Sequence, residues 1–211
     1  MLFKMREPVN GLTHLGGALA AIIALIALLI VGRFDMAKEI SVAIYGISLI
    51  SLFSASAAYH LINADSKVIQ TLRKLDHSAI YILIAGTYTP FCVLVFNGFF
   101  HWGMLAVVWF FALAGIVVKL FYIKAPRWLN ACIYVVMGWL GVVAFGQIKA
   151  HSSNILIWLI VGGVIYTLGA VVYSTKIFNF IPGKFGFHEV WHIFVLAGAT
   201  AHFISVLLLV I

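Results

Sequence analysis

Charge is what this sequence has least of. Of its 211 residues only 9% are Asp, Glu, Lys or Arg, and six in all are acidic, against about 25% charged residues in a soluble domain. A water-soluble globule is excluded: 64% of the residues are apolar and the mean hydropathy is +1.15, so the chain belongs in a membrane. Cysteine is scarce too. Cys92 and Cys132 fall in separate apolar segments without paired spacing, which excludes a disulfide framework and a CxxC metal site and leaves packing as their role. Strand-like alternation, low-complexity tracts and linkers are also missing, and the apolar runs are too long for barrel strands. What remains is an all-α membrane protein, one domain over residues 1–211.

Positive charge is in excess, with a formal net charge of +7. It does not mark a nucleic-acid partner, because the basic residues stand singly or in pairs at the ends of apolar runs, where they set topology. Reading those runs against the roughly 20 residues that cross a bilayer predicts seven helices near 11–32, 40–62, 77–97, 102–123, 128–148, 154–175 and 188–210. Lys4 and Arg6 precede the first run, but it continues through Val31, too long for a signal-peptide core, so it is read as a retained helix.

Short connections make neighbouring helices antiparallel, and counting Lys and Arg on alternate sides gives the orientation. With the N-terminus inside, the cytoplasmic side collects Lys4, Arg6, Lys67, Arg73, Lys74, Lys119, Lys124, Arg127, Lys176 and Lys184, and the outer side only Arg33, Lys38 and Lys149. The N-terminus is therefore expected in the cytoplasm and the C-terminus outside, in a plasma (inner) membrane that the chain crosses several times. Trp102 and Trp128 read as interfacial anchors, and Trp191 is left open.

Ionisable groups within spans are costly, so each is a functional candidate. The second helix ends at "SAAYH", with Ser56 and His60; the third opens at the same face with "KLDHSAIY", with Asp76 and His77; the seventh opens there with "HEVWH", carrying His188 and His192. Three helices far apart in sequence thus bring Ser, His, Asp, His and His to one depth. His188 and His192, at i and i+4, share a helical face and can reach one metal at about 2.0–2.1 Å. His60 supplies a third nitrogen, leaving a fourth zinc position for water, as in a catalytic site. Asp76 is either an oxygen ligand or a group that holds the water and takes its proton.

"HEVWH" also spells the zinc-protease motif HExxH. The third ligand of such a protease is missing downstream: no Asp or Glu follows Glu189, position 198 is Gly198, and His202 lies about 15 Å further along the helix. The protease match is read as coincidental. Glu189, about 100° round the helix from His188, is expected chiefly as a cap of the helix start, with the headgroup region or the metal water as alternatives.

Other polar residues receive plainer readings. His14 is expected at an Asn10-capped helix start near the interface, or else lining the site entrance. His77 is a bundle or interface residue, His101 and His151 are solvated at the outer face, and His202 bonds across helices or lines a cavity. Gly16, Gly17, Gly138, Gly141, Gly162 and Gly163 are expected to permit close helix packing.

The order SxxxH (Ser56, His60), Asp76, HxxxH (His188, His192), together with the opening "EPVNGLTH" from Glu7 to His14, resembles the hemolysin III branch of the progestin and adipoQ receptor (PAQR) family over essentially the whole chain. That resemblance implies a seven-helix bundle with its N-terminus inside and zinc near the cytoplasmic side. It further implies that His60, His188 and His192 bind the zinc, that Asp76 contacts it through water, and that Ser56 sits beside that water. The family is grouped with alkaline ceramidases as metal-dependent lipid hydrolases; the long cytoplasmic N-terminal domain of the adipokine receptors has no counterpart here.

Three functions follow as expectations. The favoured one is a zinc-dependent hydrolase of a lipid amide or ester, with a membrane lipid as substrate or ligand, Asp76 moving the proton and Ser56 steadying water or oxyanion. The second is a cytolytic, pore-forming or membrane-perturbing protein. The third is a membrane sensor or homeostasis protein with structural zinc. The residues name neither headgroup nor oligomeric state.

Overall fold

A computed structural model describes residues 5–122, 125–181 and 185–211. Three of the basic residues used for orientation, Lys4, Lys124 and Lys184, lie outside the described residues. Among the described residues seven helices are long and apolar enough to cross a membrane. In chain order they are α1 (Pro8–Gly32), α2 (Met36–Leu61), α3 (Ser66–Leu94), α4 (Phe99–Phe121), a fifth span divided into α5 (Arg127–Trp139), a 3-10 turn (Leu140–Ala144) and α6 (Phe145–His151), then α7 (Ser153–Thr175) and α8 (Phe187–Val210). Helix satisfies every backbone group within the segment, which hydrocarbon demands.

Sequence marks the helix starts. Pro8 occupies the first turn of α1, where its missing N–H costs nothing. Asp35 accepts from Ala37 and Lys38 N–H at 3.0 and 3.1 Å, and Asp65 accepts from Lys67 and Val68 N–H at 2.9 and 3.0 Å. The Asp65 cap corrects an expected boundary: the third helix begins at Ser66 rather than near residue 77. The polar stretch Ser66–Leu75 falls outside any apolar window, yet it is helical, so Asp76 sits almost three turns inside α3 instead of opening it.

The fifth span is the other departure, because a continuous helix over 128–148 was expected. The Tyr88 hydroxyl of α3 enters its backbone ladder, accepting from Gly141 N–H at 2.7 Å and donating to Gly138 C=O at 2.7 Å. A side chain inserted into the i to i−4 ladder breaks a helix, and the 3-10 turn follows at that point.

The spans form a ring in which α1 packs on α2, α2 on α3, α5 on α7, α7 on α8, and α8 back on α1, while α4 packs chiefly on α3. The most buried spans are α2 and α3, and α4 is the least. Large apolar side chains such as Ile23, Ile30, Phe110 and Phe121 point outward, the belt a bilayer requires. Trp102 and Trp128, at span ends, are exposed as expected of anchors. Cys92 is buried and Cys132 exposed, both free.

Glycine packing is confirmed at four of six expected positions. A Cβ on Gly17 would overlap Leu196, on Gly162 the ring of His202, and on Gly141 and Gly163 it would press on Tyr88 and Trp139. Gly16 and Gly138 have open space beside them, so neither is a packing glycine. Gly86 and Gly198, not singled out in the sequence, let α3 meet Ser48 and α8 meet Tyr166.

Candidate metal centre

The end of α2, the segment before α1 and the start of α8 meet at one end of the bundle. Backbone pairing ties the first two together: Glu7 N–H donates to His60 C=O at 2.9 Å, and Arg6 N–H to Leu61 C=O at 3.4 Å. His60, in the last turn of α2, thereby faces His188 and His192 on α8. Its ring centroid lies 5.2 Å from that of His188 and 4.7 Å from that of His192, and the α8 pair are 4.9 Å apart. One nitrogen from each of the three lies within 4.8 Å of the others, an arrangement that could hold a metal ion.

The donor set fits that use. His60 and His192 are 1% and 3% exposed. His188 Nε2 and His192 Nδ1 are buried with no hydrogen-bond partner among the described residues. Buried polar atoms without partners are rare in proteins and call for an unseen ion or water. Three imidazoles converging on one point supply it with the nitrogen ligands zinc takes.

His60 has its second nitrogen accounted for. Nδ1 lies 2.5 Å from Glu7 Oε2. That hydrogen bond, reinforced by the nearby charges of His60 and Arg6, outweighs desolvation and holds the Glu7 carboxyl down at about 2. An ionised carboxylate only accepts, so His60 Nδ1 is the donor in this contact, and Nε2 is the nitrogen left for a metal.

Ser56, one turn before His60 and buried, has its hydroxyl beside the Asp76 carboxyl, with His60 also near that carboxyl. Ser56, Asp76, His188 and His192 line one cavity of about 190 Å³. The five residues expected to converge from three helices are therefore together. From that end the cavity runs between α3, the fifth span, α7 and α8. Along α3 it is lined by Asp76, Ile80, Leu83, Thr87 and Phe91, fifteen residues or about 22 Å of helix. Apart from the ionisable end and a band near Tyr88, Thr167 and His202, its wall is apolar.

Glu189 serves as a cap: Oε2 accepts from Gly186 N–H at 2.7 Å and Oε1 from Asn10 Nδ2 at 2.9 Å. Both oxygens are engaged in this way, as the cap reading expected. His202 does both things proposed for it, meeting Leu159 C=O at 3.2 Å and lining the cavity. His77 also lines the cavity. His151 is exposed as expected, whereas His101 is half-buried against Phe96 C=O at 3.1 Å.

For His14 the second of the two expected readings, a place lining the site, fits, and the capped helix start does not. The residue at the helix boundary is Glu7, not Asn10, and it makes no side-chain cap bond. His14 is not interfacial: it is 3% exposed and lines the cavity, its ring stacked on His192 at 3.8 Å. Sequence reasoning also missed what Glu7 and Asn10 touch. The available signal was their spacing, since 7, 10 and 14 fall on one helical face. Tyr173 and Trp191 were not anticipated around His188 either; the Tyr173 ring lies 5.8 Å from His188 and 5.4 Å from Trp191.

A family model described as Haemolysin-III related matches residues 3–203 of the chain. The chain is 38% identical over 210 residues to the Hemolysin-3 homolog of Bacillus subtilis (strain 168), an alignment covering 98% of this chain and 95% of that protein. It is 35% identical over 215 residues to Hemolysin-3 of Bacillus cereus, with 99% and 94% covered. The Adiponectin receptor protein of Drosophila melanogaster is 31% identical over 222 residues, 93% of this chain but 49% of that longer protein.

Proposed function

The chain belongs to the Haemolysin-III related family, a branch of the PAQR proteins, and from that premise we propose that it is a zinc-dependent hydrolase of a lipid amide or ester. The observation that carries the reading is a cluster of three histidines, two of them with buried unpartnered nitrogens, at the ionisable end of a long, mostly apolar cavity that also holds a serine and an aspartate. A purely structural metal site has no need of a long apolar cavity opening from it.

His60, His188 and His192 would hold the ion. Zinc, when bound, lowers the pKa of its water toward 7 and polarises a carbonyl. The residues supply the rest. Asp76 accepts the proton of the attacking water and passes it to the leaving amine or alcohol. Ser56 donates its hydroxyl proton to the oxygen on which charge develops. The apolar wall from Ile80 to Phe91 receives the acyl chain and excludes water. Described basic residues at this end, including Arg6, Arg73, Lys74 and Arg127, support placing it at the cytoplasmic face of an inner membrane, with the C-terminus outside.

The test begins with metal content. One zinc per chain in the purified protein, absent from the His188→Ala/His192→Ala double variant, is expected. Turnover of a panel of lipid amides and esters should then fall at least 100-fold in Asp76→Ala while zinc is retained, the scale of general acid–base contributions. A folded wild type that takes up no zinc when supplied refutes the mechanism. Zinc binding without turnover of any such lipid, with unfolding on chelation, favours structural zinc in a sensor.

The relatives' printed name supports one second reading, membrane lysis. Dye release from liposomes that survives His188→Ala would favour metal-independent membrane perturbation over hydrolysis.

A further inference from the structure

Three residues of α1 and its boundary, Glu7, Asn10 and His14, fall at i, i+3 and i+7, the spacing of one helical face. Each touches a different part of the histidine cluster. Glu7 Oε2 meets His60 Nδ1 at 2.5 Å. Asn10, 2% exposed, donates from Nδ2 to Glu189 Oε1 at 2.9 Å, and Glu189 follows His188 directly. His14 stacks its ring on His192 at 3.8 Å and 27°, with Phe53 edge-on behind it at 5.1 Å. Neither ring nitrogen of His14 has a hydrogen-bond partner among the described residues.

A cap explains none of this convergence. Glu7 makes no side-chain bond to the N–H groups of α1, and Asn10 reaches to α8 instead of its own helix. All three side chains are directed across the bundle at elements that carry histidines.

We propose that Glu7, Asn10 and His14 are positioning residues of the metal centre, with Glu7 the carboxylate that orients His60 and His14 the plate against which His192 is held. The inference rests on the reading of His60, His188 and His192 as metal ligands. A metal-bound histidine characteristically donates its other N–H to a carboxylate, which fixes the tautomer and ring angle, and loss of such a partner lowers metal affinity by about 10–100-fold. Glu7 stands in that relation to His60. The stacked ring of His14 confines His192 to one rotation about its Cβ bond, and Asn10 ties α8 down beside His188.

The experiment uses the full chain in detergent. Zinc affinity is measured by competition with a chelator of known affinity, and the metal-free protein is melted in parallel. Glu7→Gln should bind zinc at least 10-fold more weakly while the metal-free variant still melts cooperatively as a folded protein, and the absorption of the cobalt-loaded protein should shift. His14→Ala should lose affinity and His14→Phe, which keeps a stacking ring, should recover it; this pair carries the test if Glu7→Gln does not fold. Wild type that binds zinc, with Glu7→Gln and His14→Ala both within 2-fold of it, overturns the positioning role and leaves the histidine site intact. Wild type that binds no zinc overturns both.

Discussion

Tyr88→Phe removes one oxygen from the protein and tests the account of the broken fifth span. The hydroxyl donates to Gly138 C=O and accepts from Gly141 N–H, both at 2.7 Å, and Tyr88 is 9% exposed. Without it, both backbone groups lose their partner within the span, the Gly141 amide in a buried position and the Gly138 carbonyl in a part-buried one. A buried group left unsatisfied costs about 1–3 kcal/mol, so two give an upper figure of about 6 kcal/mol. Side-chain hydrogen bonds measured inside membranes average only about 0.6 kcal/mol each, so two give a lower figure of about 1 kcal/mol. The carbonyl can recover part of its bonding if α5 winds on by one residue. The amide, at the start of the 3-10 turn, cannot without displacing Tyr88 itself, so we expect about 2 kcal/mol. The assay is denaturant unfolding in mixed micelles, with hydrogen exchange followed at residues 137–145. Destabilisation with faster exchange at Gly141 is the expected result. Stability within about 0.5 kcal/mol of wild type and unchanged exchange at Gly141 would refute the idea that this hydroxyl holds the break.

Two further expectations follow from particular contacts. Gly17→Leu should destabilise the bundle, since even a Cβ there would overlap Leu196, whereas Gly16→Leu, with open space beside it, should leave the melting temperature within about 2 °C, less than about 1 kcal/mol at this chain length; equal effects would show that the α1–α8 approach is misjudged. For the metal-free protein, the Glu7 carboxyl sits at about 2 instead of 4.5 because His60 bonds its ionised form, so its contribution is complete above about pH 4.5 and lost as pH falls toward 2. Melting temperature should therefore decline across that window in wild type, and the step should be absent from Glu7→Gln.

How far the sequence reached depended on the kind of signal. Lipid leaves helices as the natural answer to long apolar runs, so the seven spans could be read from hydropathy, and α8 was located within a residue. The start of α3 could not, because Ser66–Leu75 is polar and its helicity is announced only by the Asp65 cap. The break in the fifth span was invisible for another reason: its cause is on α3, and no feature of residues 128–148 reveals a hydroxyl arriving from fifty positions away. The site divided the same way. His188 and His192 declare themselves by spacing along one helix, and Ser56, His60 and Asp76 by common depth. The contacts of Glu7, Asn10 and His14 depend on how α1 is rotated against α2 and α8; their spacing and the small residues Gly17, Ala18 and Ala21 that continue the buried face mark that face, but spacing along one helix does not name the partners it meets.

Rotation also explains why a protease motif occurs in a protein whose geometry does not use it as one. The α8 start must meet two demands in the same turn. The metal pair needs histidines at i and i+4 facing the end of α2. The helix start needs an acceptor for Gly186 N–H, and the position that reaches back to it is the third of the helix, Glu189. Since α8 begins at Phe187, that third position lies directly after His188, and the sequence necessarily reads His-Glu-x-x-His. The glutamate's direction then follows from the helical turn: about 100° from His188, it faces α1, where Asn10 receives it. The carboxylates beside the histidines come from elsewhere: Glu7, before α1, meets His60, and Asp76, on α3, lines the cavity with His188 and His192. In the proposed mechanism the acid–base role belongs to Asp76, a residue that a linear motif does not contain.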